Sequence, residues 1–268
     1  MDRRNNLVHS VVAQTLIVLC HGPEQARNIG SWDPEWVRGL SVVVVLDKAP
    51  SFQARFPMAQ ISASDVQGFR AGANRDKGLA WAMEHCPAHS YLFLDGDCVP
   101  SPRWLHPHLP LASGDPLITC RSRHDPGHVD PRTMPLDWKG AHFAPSMSTD
   151  PMAWQSGNDV PGIIAHRVLW SCNFGMTNLA AAMLLEAGER VHGVPRIFWP
   201  GFDGLWGGED SGLGILAHLA GVEIRTNGAH PVEHIPHDPG AVTRKNLDRV
   251  QEYGDLCAKK LGKTVSFS

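Results

Sequence analysis

The sequence predicts a single α/β domain built on a central, mostly parallel sheet flanked by helices. Three observations lead there. Apolar strand-like runs alternate with helix-like segments through the first hundred residues, a pattern that requires crossover connections and parallel pairing. The run SVVVVLD at 41–47 is continuously apolar and β-branched, as in a strand covered on both faces. Two such runs end in acids, Asp47 and then Asp95 with Asp97, at the strand ends where open α/β sheets hold ligands.

Composition is compatible with that reading. The 268 residues are 43% hydrophobic and 19% charged, ordinary for a globular chain long enough for a substantial core. A net charge of -3 excludes a general pull toward nucleic acid or membrane. The apolar run at 11–20 is too short to cross a bilayer, and no small-residue cleavage site follows it. No membrane span or signal peptide is expected. The six cysteines have no paired spacing. Reduced thiols in a cytoplasmic setting are therefore expected, rather than a disulfide frame or a zinc knuckle.

Taken in order, VVAQTLIVLC is the first strand, ending at HGPE. A helix with Trp36, Val37 and Leu40 on one face is expected next, then the strand at 41–47. Leu79, Ala82, Met83 and Cys86 fall at i, i+3, i+4 and i+7, the spacing of an amphipathic helix. YLFLDGD follows as a buried strand running into two acids. From Ser101 to about Val160 the pattern dissolves into Pro, His, Asp, Gly and Trp, a long loop of the functional or mobile kind. VLWSCNFGMTN restores a strand. A helix capped near Thr177 or Asn178 follows, with Ala180, Met183, Leu184 and Ala187 in phase and a stop expected at Gly188. The glycine-rich GFDGLWGGED leads into a helix marked by Leu213, Leu216 and Ala220. A short strand, VEIRT, precedes HPVEHIPHDP, and a helix closes the chain from about Val242 to Leu261.

Two carboxylates one residue apart repel unless a positive charge or water lies between them. Asp95-Gly96-Asp97 is thus a metal-site candidate, although taken alone it is equally a solvated turn. Glu209 and Asp210 would open a helix, where the helix dipole favours anions in any case.

Three stretches, LFLDGDCVP, SCNFGMTN and WGGEDSGLGILAHLAGVEI, in this order and at these distances, resemble the inverting GT-A glycosyltransferases. The family-2 enzymes and galactosyltransferase-type domains are the nearest in pattern. The resemblance covers roughly residues 10 to 240, and WGGED ahead of a helix is its most specific part. It implies a GT-A fold with a Rossmann-like sheet as one domain over 1–268. Residues 10–100 would form the nucleotide-sugar half, 101–240 the acceptor half, and 241–268 a C-terminal helix and tail.

The implied activity is metal-dependent transfer of a hexose from a UDP-sugar to an acceptor hydroxyl. Manganese, with magnesium as a substitute, suits oxygen ligands plus one imidazole. Asp97 would hold the ion, and Asp95 would reach the ribose or the ion through water. Either His234 or His237 would be the third ligand, with His237 preferred. Asp210 would be the general base; Glu209 would orient the acceptor or share that role. Trp206 would sit on a mobile loop closing over the donor and facing the acceptor. Asp47 would contact the nucleotide base. GFRAGANRDKGLAWA resembles the family's A-R-N-x-G segment, with Arg75 and Gly78 in place and Asp76 where asparagine is usual. Arg70, Arg75 and Lys77 would face phosphates. Asn173 would contribute to the acceptor half, or simply hydrogen-bond within its strand. The acceptor is a glycan, lipid or small molecule; RSRHDPGHVDPR also admits an anionic acceptor such as a modified DNA base. Two alternatives remain beside this one: a non-catalytic sugar- or nucleotide-binding module, and a nucleotidyltransferase. The latter would want a lysine in the loop after the first strand, which HGPEQARN lacks.

Overall fold

Alternation along each strand sorts the apolar residues onto two faces of one sheet. In the computed structural model, residues 14–100, 104, 111, 114–124, 155–156, 172–204, 207–235 and 244–263 are described. Strands β1 (Gln14–His21), β2 (Leu40–Asp47), β3 (Ala59–Ser62) and β4 (Ser90–Asp95) pair in parallel in the order β3-β2-β1-β4. Ile17, Val43, Val45, Tyr91 and Phe93 face one core. Their neighbours Leu16, Val18, Val42, Val44, Leu92 and Leu94 face the other. The register sets His21 beside Asp47 and Leu19 beside Asp95. Both acidic strand ends therefore reach the same edge of the sheet.

Beyond β4 the sheet is mixed. Strands β5 (Cys98–Val99), β6 (Leu117–His124), β7 (Gln155–Ser156), β8 (Asn173–Thr177) and β9 (Glu223–His234) complete it. The path continues β4-β8-β6-β9-β5, with β7 also on β9. β8 runs antiparallel to β4 and β6, whereas β6 and β9 are parallel. Helix α1 (Gly22–Ser31) covers the second face through Ala26 and Ile29. Helices α2 (Ala71–His85), α3 (Asn178–His192), α4 (Glu209–Ala220) and α5 (Arg244–Leu261) pack on the first. α2 lies hard against the sheet: a Cβ on Gly78 would stand 2.5 Å from Ile17 Cγ2 and 3.0 Å from Val45 Cγ2. That closeness is why the position is glycine.

Four expectations about elements need correction. The helix through Trp36, Val37 and Leu40 does not form. The helix begins earlier at Gly22, with Pro23 in its first turn, and Pro34–Val37 is one 3-10 turn. Gly39 at φ 80 then breaks the chain before Leu40 opens β2. α3 does start at a Thr177 cap, whose hydroxyl accepts from the Ala180 amide, but it ends at Gly193. Gly188 lies inside the helix because a Cβ there would come 1.9 Å from the Arg196 carbonyl oxygen. VEIRT is the start of a strand of 12 residues. Finally, the irregular segment contains β6, whose apolar start is too short to announce itself without its partners.

Candidate active site

The apolar β4 delivers Asp95 to the sheet edge, and a tight turn carries the chain on to Asp97. Asp95 N donates to the Cys172 carbonyl at 3.1 Å, and Gly96 N donates to the Leu19 carbonyl at 2.6 Å. Gly96 has no room for a side chain, since a Cβ would lie 2.6 Å from Leu19 O and 2.9 Å from Gln25 Oε1. The chain then enters β5, which sets Cys98 opposite His234, and Ile235 N donates to Asp97 O at 2.7 Å. His234 Nε2 consequently lies 3.7 Å from Asp97 Oδ2. Both side chains are buried.

The second acid pair arrives from the other end of the chain. Gly207 and Gly208 take φ of 76 and 91, backbone that glycine adopts without strain, and turn the chain into α4 with Glu209 and Asp210 in its first turn. The two acid pairs meet at Arg75. This side chain is 2% exposed; its Nη2 donates to Asp95 Oδ1 at 2.7 Å and its Nη1 lies 3.9 Å from Glu209 Oε1. Its guanidinium sits over the Phe198 ring, 5.8 Å from the centroid, a cation–π contact. The D-G-D turn and the Glu-Asp pair thus belong to one site.

The charges follow from this packing. Burial raises the Asp95 carboxyl to about 6; Arg75 offsets that, while Asp97 and Asp210 add to it. Burial, reinforced by Asp210 and opposed by Arg75, raises Glu209 to about 8. Burial works against the Arg75 cation, but Asp95, Asp210 and Glu209 outweigh it and hold the guanidinium charged. Among the described residues, Glu209 Oε2 and the Nε and Nη1 of Arg75 are buried without a hydrogen-bond partner. Buried polar atoms of this kind are few in folded proteins, and these three belong to the two residues in contact here.

Asp47 forms a second cluster on the same edge. Its Oδ1 accepts from Arg70 Nε at 3.1 Å and from Arg70 Nη2. Its Oδ2 accepts from Asn74 Nδ2 at 3.3 Å and lies 3.3 Å from His21 Nδ1. Burial pushes this carboxyl up, yet the Arg70 and His21 contacts prevail and hold it below the usual range. Arg70 spends its remaining Nη1 on the Ser64 and Val66 carbonyls, both at 2.9 Å. Arg70 and Arg75, expected to face phosphates, each pair with a carboxylate at this edge. Lys77 likewise donates to Ala63 O at 2.9 Å.

Two further residues lie behind this edge. Asn173 is fully buried, and its Oδ1 accepts from Trp104 Nε1 at 3.1 Å. It lies in the wall behind the D-G-D turn, where β8 pairs with β4. Asp76 faces the 196–203 loop. It accepts from the Ile197 amide at 2.9 Å and from Arg196 Nε at 2.8 Å, and Arg196 in turn binds Asp203. Burial, partly offset by Arg196, raises Asp76 to about 7. An acid at this position serves the loop that leads to Gly207. Trp206 and His237 lie outside the described residues.

Gln25 and Asn28 were not singled out in the sequence, yet both hold the turn. Gln25 Nε2 donates to Asp97 Oδ2 at 3.0 Å, and Asn28 Nδ2 donates to Gly96 O at 2.7 Å and to Cys98 O at 3.2 Å. The legible signal was QARN, two amides at i and i+3 on the helix that leaves the first strand.

At 3.7 Å the pair Asp97 Oδ2 and His234 Nε2 is too far apart for a hydrogen bond. The oxygen and imidazole chemistry fits manganese or magnesium. Among the described residues no group of three or more His, Cys, Asp or Glu is arranged as a complete metal site.

No protein-family model matches the chain, and no curated protein matches it. Solved structures do. One is GalNAc-T7 with UDP, GalNAc and Mn2+, at TM-score 0.51 and 14% identity, covering 91% of this chain and 48% of that one. Another is S. aureus TarS 1-349, at TM-score 0.50 and 12% identity, covering 95% of this chain and 67% of that one. This chain spans about half the length of the GalNAc-T7 chain. Agreement over most of the chain at such low identity is agreement of backbone architecture, and the protein has the GT-A fold of glycosyltransferases.

Proposed function

We propose that the protein is a metal-dependent inverting glycosyltransferase that moves a hexose from a UDP-sugar to an acceptor hydroxyl. One observation carries this reading: the D-G-D turn and the Glu-Asp pair, far apart in sequence, share Arg75 in a single buried cluster. A solvated turn and an ordinary helix start have no reason to converge on one buried cation.

Asp97 and His234 would hold the divalent ion, with His237 as a further candidate and Asp95 steadied by Arg75 beside them. A bound ion would neutralise the charge that grows on the departing diphosphate. Asp210, at the start of α4, takes the proton of the acceptor hydroxyl. Burial raises the Glu209 carboxyl, which suits it to orient the acceptor. Asp47 meets the nucleotide base with its charge already shared by Arg70. Trp206 closes over the donor. The acceptor is a glycan, a lipid or a small molecule, bound by the segment between 101 and 170 and the loop before Trp206.

The test is incubation with a panel of UDP- and GDP-sugars plus manganese, reading slow donor hydrolysis. Metal-dependent release of UDP supports the proposal. Metal-independent nucleotide binding with no turnover of any donor would leave a non-catalytic binding module in its place. Acceptor classes are then compared by mass spectrometry of product.

A further inference from the structure

We propose that Gln25 is a positioning residue for the metal-binding carboxylate, setting the orientation in which Asp97 meets the ion. The inference rests on the glycosyltransferase reading for the identity of the ion. The geometry belongs to this chain.

Gln25 uses both ends of its amide. Its Oε1 accepts the His21 amide at 2.7 Å, and its Nε2 donates to Asp97 Oδ2 at 3.0 Å. The first contact fixes the amide against the end of β1, so the second presents a donor to Asp97 from a fixed direction. Nothing in the turn can slide to escape this constraint. Gly96 N is bonded to Leu19 O, Asn28 holds the carbonyls of Gly96 and Cys98, and Ile235 N holds the carbonyl of Asp97. The space beside the Gly96 Cα is filled by Leu19 O, Gln25 Oε1 and Ile29 Cδ1. With the backbone pinned on three sides, the remaining freedom of Asp97 is rotation of its carboxylate. Gln25 removes it.

A neutral donor suits this task. A lysine or arginine at the same place would neutralise Asp97 and compete with a cation. The glutamine amide orients the carboxylate while leaving its negative charge for the metal. Hydrogen-bonding partners of this kind around metal-ligating carboxylates contribute 10- to 100-fold in metal affinity as a rule, an order-of-magnitude expectation of about that size here.

Gln25→Leu keeps the volume and removes both amide contacts; Gln25→Met keeps the unbranched length and serves if the leucine variant fails to fold. Manganese affinity in the presence of UDP, without donor sugar or acceptor, is read by the loss of the free Mn2+ electron paramagnetic resonance signal. The expected result is an affinity about 10- to 100-fold weaker than wild type, with UDP affinity in chelator unchanged and the melting temperature in chelator lowered only by the few degrees that two lost hydrogen bonds cost. Equal manganese affinity in wild type and variant overturns the inference. So does an affinity loss matched by equal losses in metal-free UDP binding and melting temperature, since that pattern reports damage to the fold. A wild-type chain that binds no manganese with UDP overturns the glycosyltransferase reading itself. The two failures are thus told apart by the wild-type titration.

Discussion

Replacing Arg75 with methionine removes the cation shared by the two acid pairs while leaving an unbranched apolar chain over Phe198. The stabilising contact is the 2.7 Å hydrogen-bonded pair with Asp95, inside a cluster where Arg75 is 2% exposed. Charge centres about 4 Å apart at an effective dielectric of about 20 interact by about 4 kcal/mol. That agrees with the roughly 3–5 kcal/mol lost when one partner of a buried pair is removed. Glu209, whose Oε1 lies 3.9 Å from Arg75 Nη1, adds less to this figure than the shorter Asp95 contact. For a chain of this size each kcal/mol corresponds to about 2–4 °C, so a drop on the order of 10 °C at pH 8 is expected.

The pH dependence gives the sharper test. Asp95 sits at about 6 and Glu209 at about 8 in the folded protein, above their ordinary values of 3.8 and 4.5. An acid raised on folding binds more protons in the native state, so its contribution to stability falls as pH rises from the ordinary value through the folded one. Loss of Arg75 raises both carboxyls further and widens that window. The deficit of the variant should therefore be largest at pH 8 and shrink toward pH 5, where Asp95 is already largely protonated. Differential scanning calorimetry in chelator at the two pH values measures this. A deficit equal at both pH values, or a variant within about 2 °C of wild type at pH 8, would falsify the shared-cation geometry.

Other expectations are simpler. Asp97→Ala should abolish manganese-dependent UDP binding; an unchanged thermal-shift titration would reject its role as ligand. Asp210→Asn should bind donor normally and lose transfer by at least the roughly 10²–10⁴-fold that a general base supplies, and normal turnover would reject Asp210 as the proton acceptor. Gly188→Ala places a methyl where the Arg196 carbonyl oxygen stands at 1.9 Å; overpacking of about 1–3 kcal/mol or more should appear in urea unfolding, and a neutral result would mean that the 193–196 turn yields freely.

What the sequence determined by itself were the features carried by short-range pattern. Continuous β-branched runs marked β2, and apolar runs ending in acids marked β4 and the D-G-D turn. A 3.6-residue period marked α2, and two glycines before two acids marked the start of α4. Each is a consequence of local backbone preference or of the side-chain period, and so can be read from neighbours alone. Tertiary structure decided the rest. Gly188 reads as a helix stop until the 193–196 turn folds back over it, and β6 reads as loop until β8 and β9 flank it. Arg70 and Arg75 look alike in sequence as cations near a phosphate site. The fold sends one to Asp47 and the other to the shared centre of Asp95 and Glu209. Charge pairing between distant segments has no period, and burial, which fixes the strength of such pairs and raises the Glu209 carboxyl, exists only once the layers have packed.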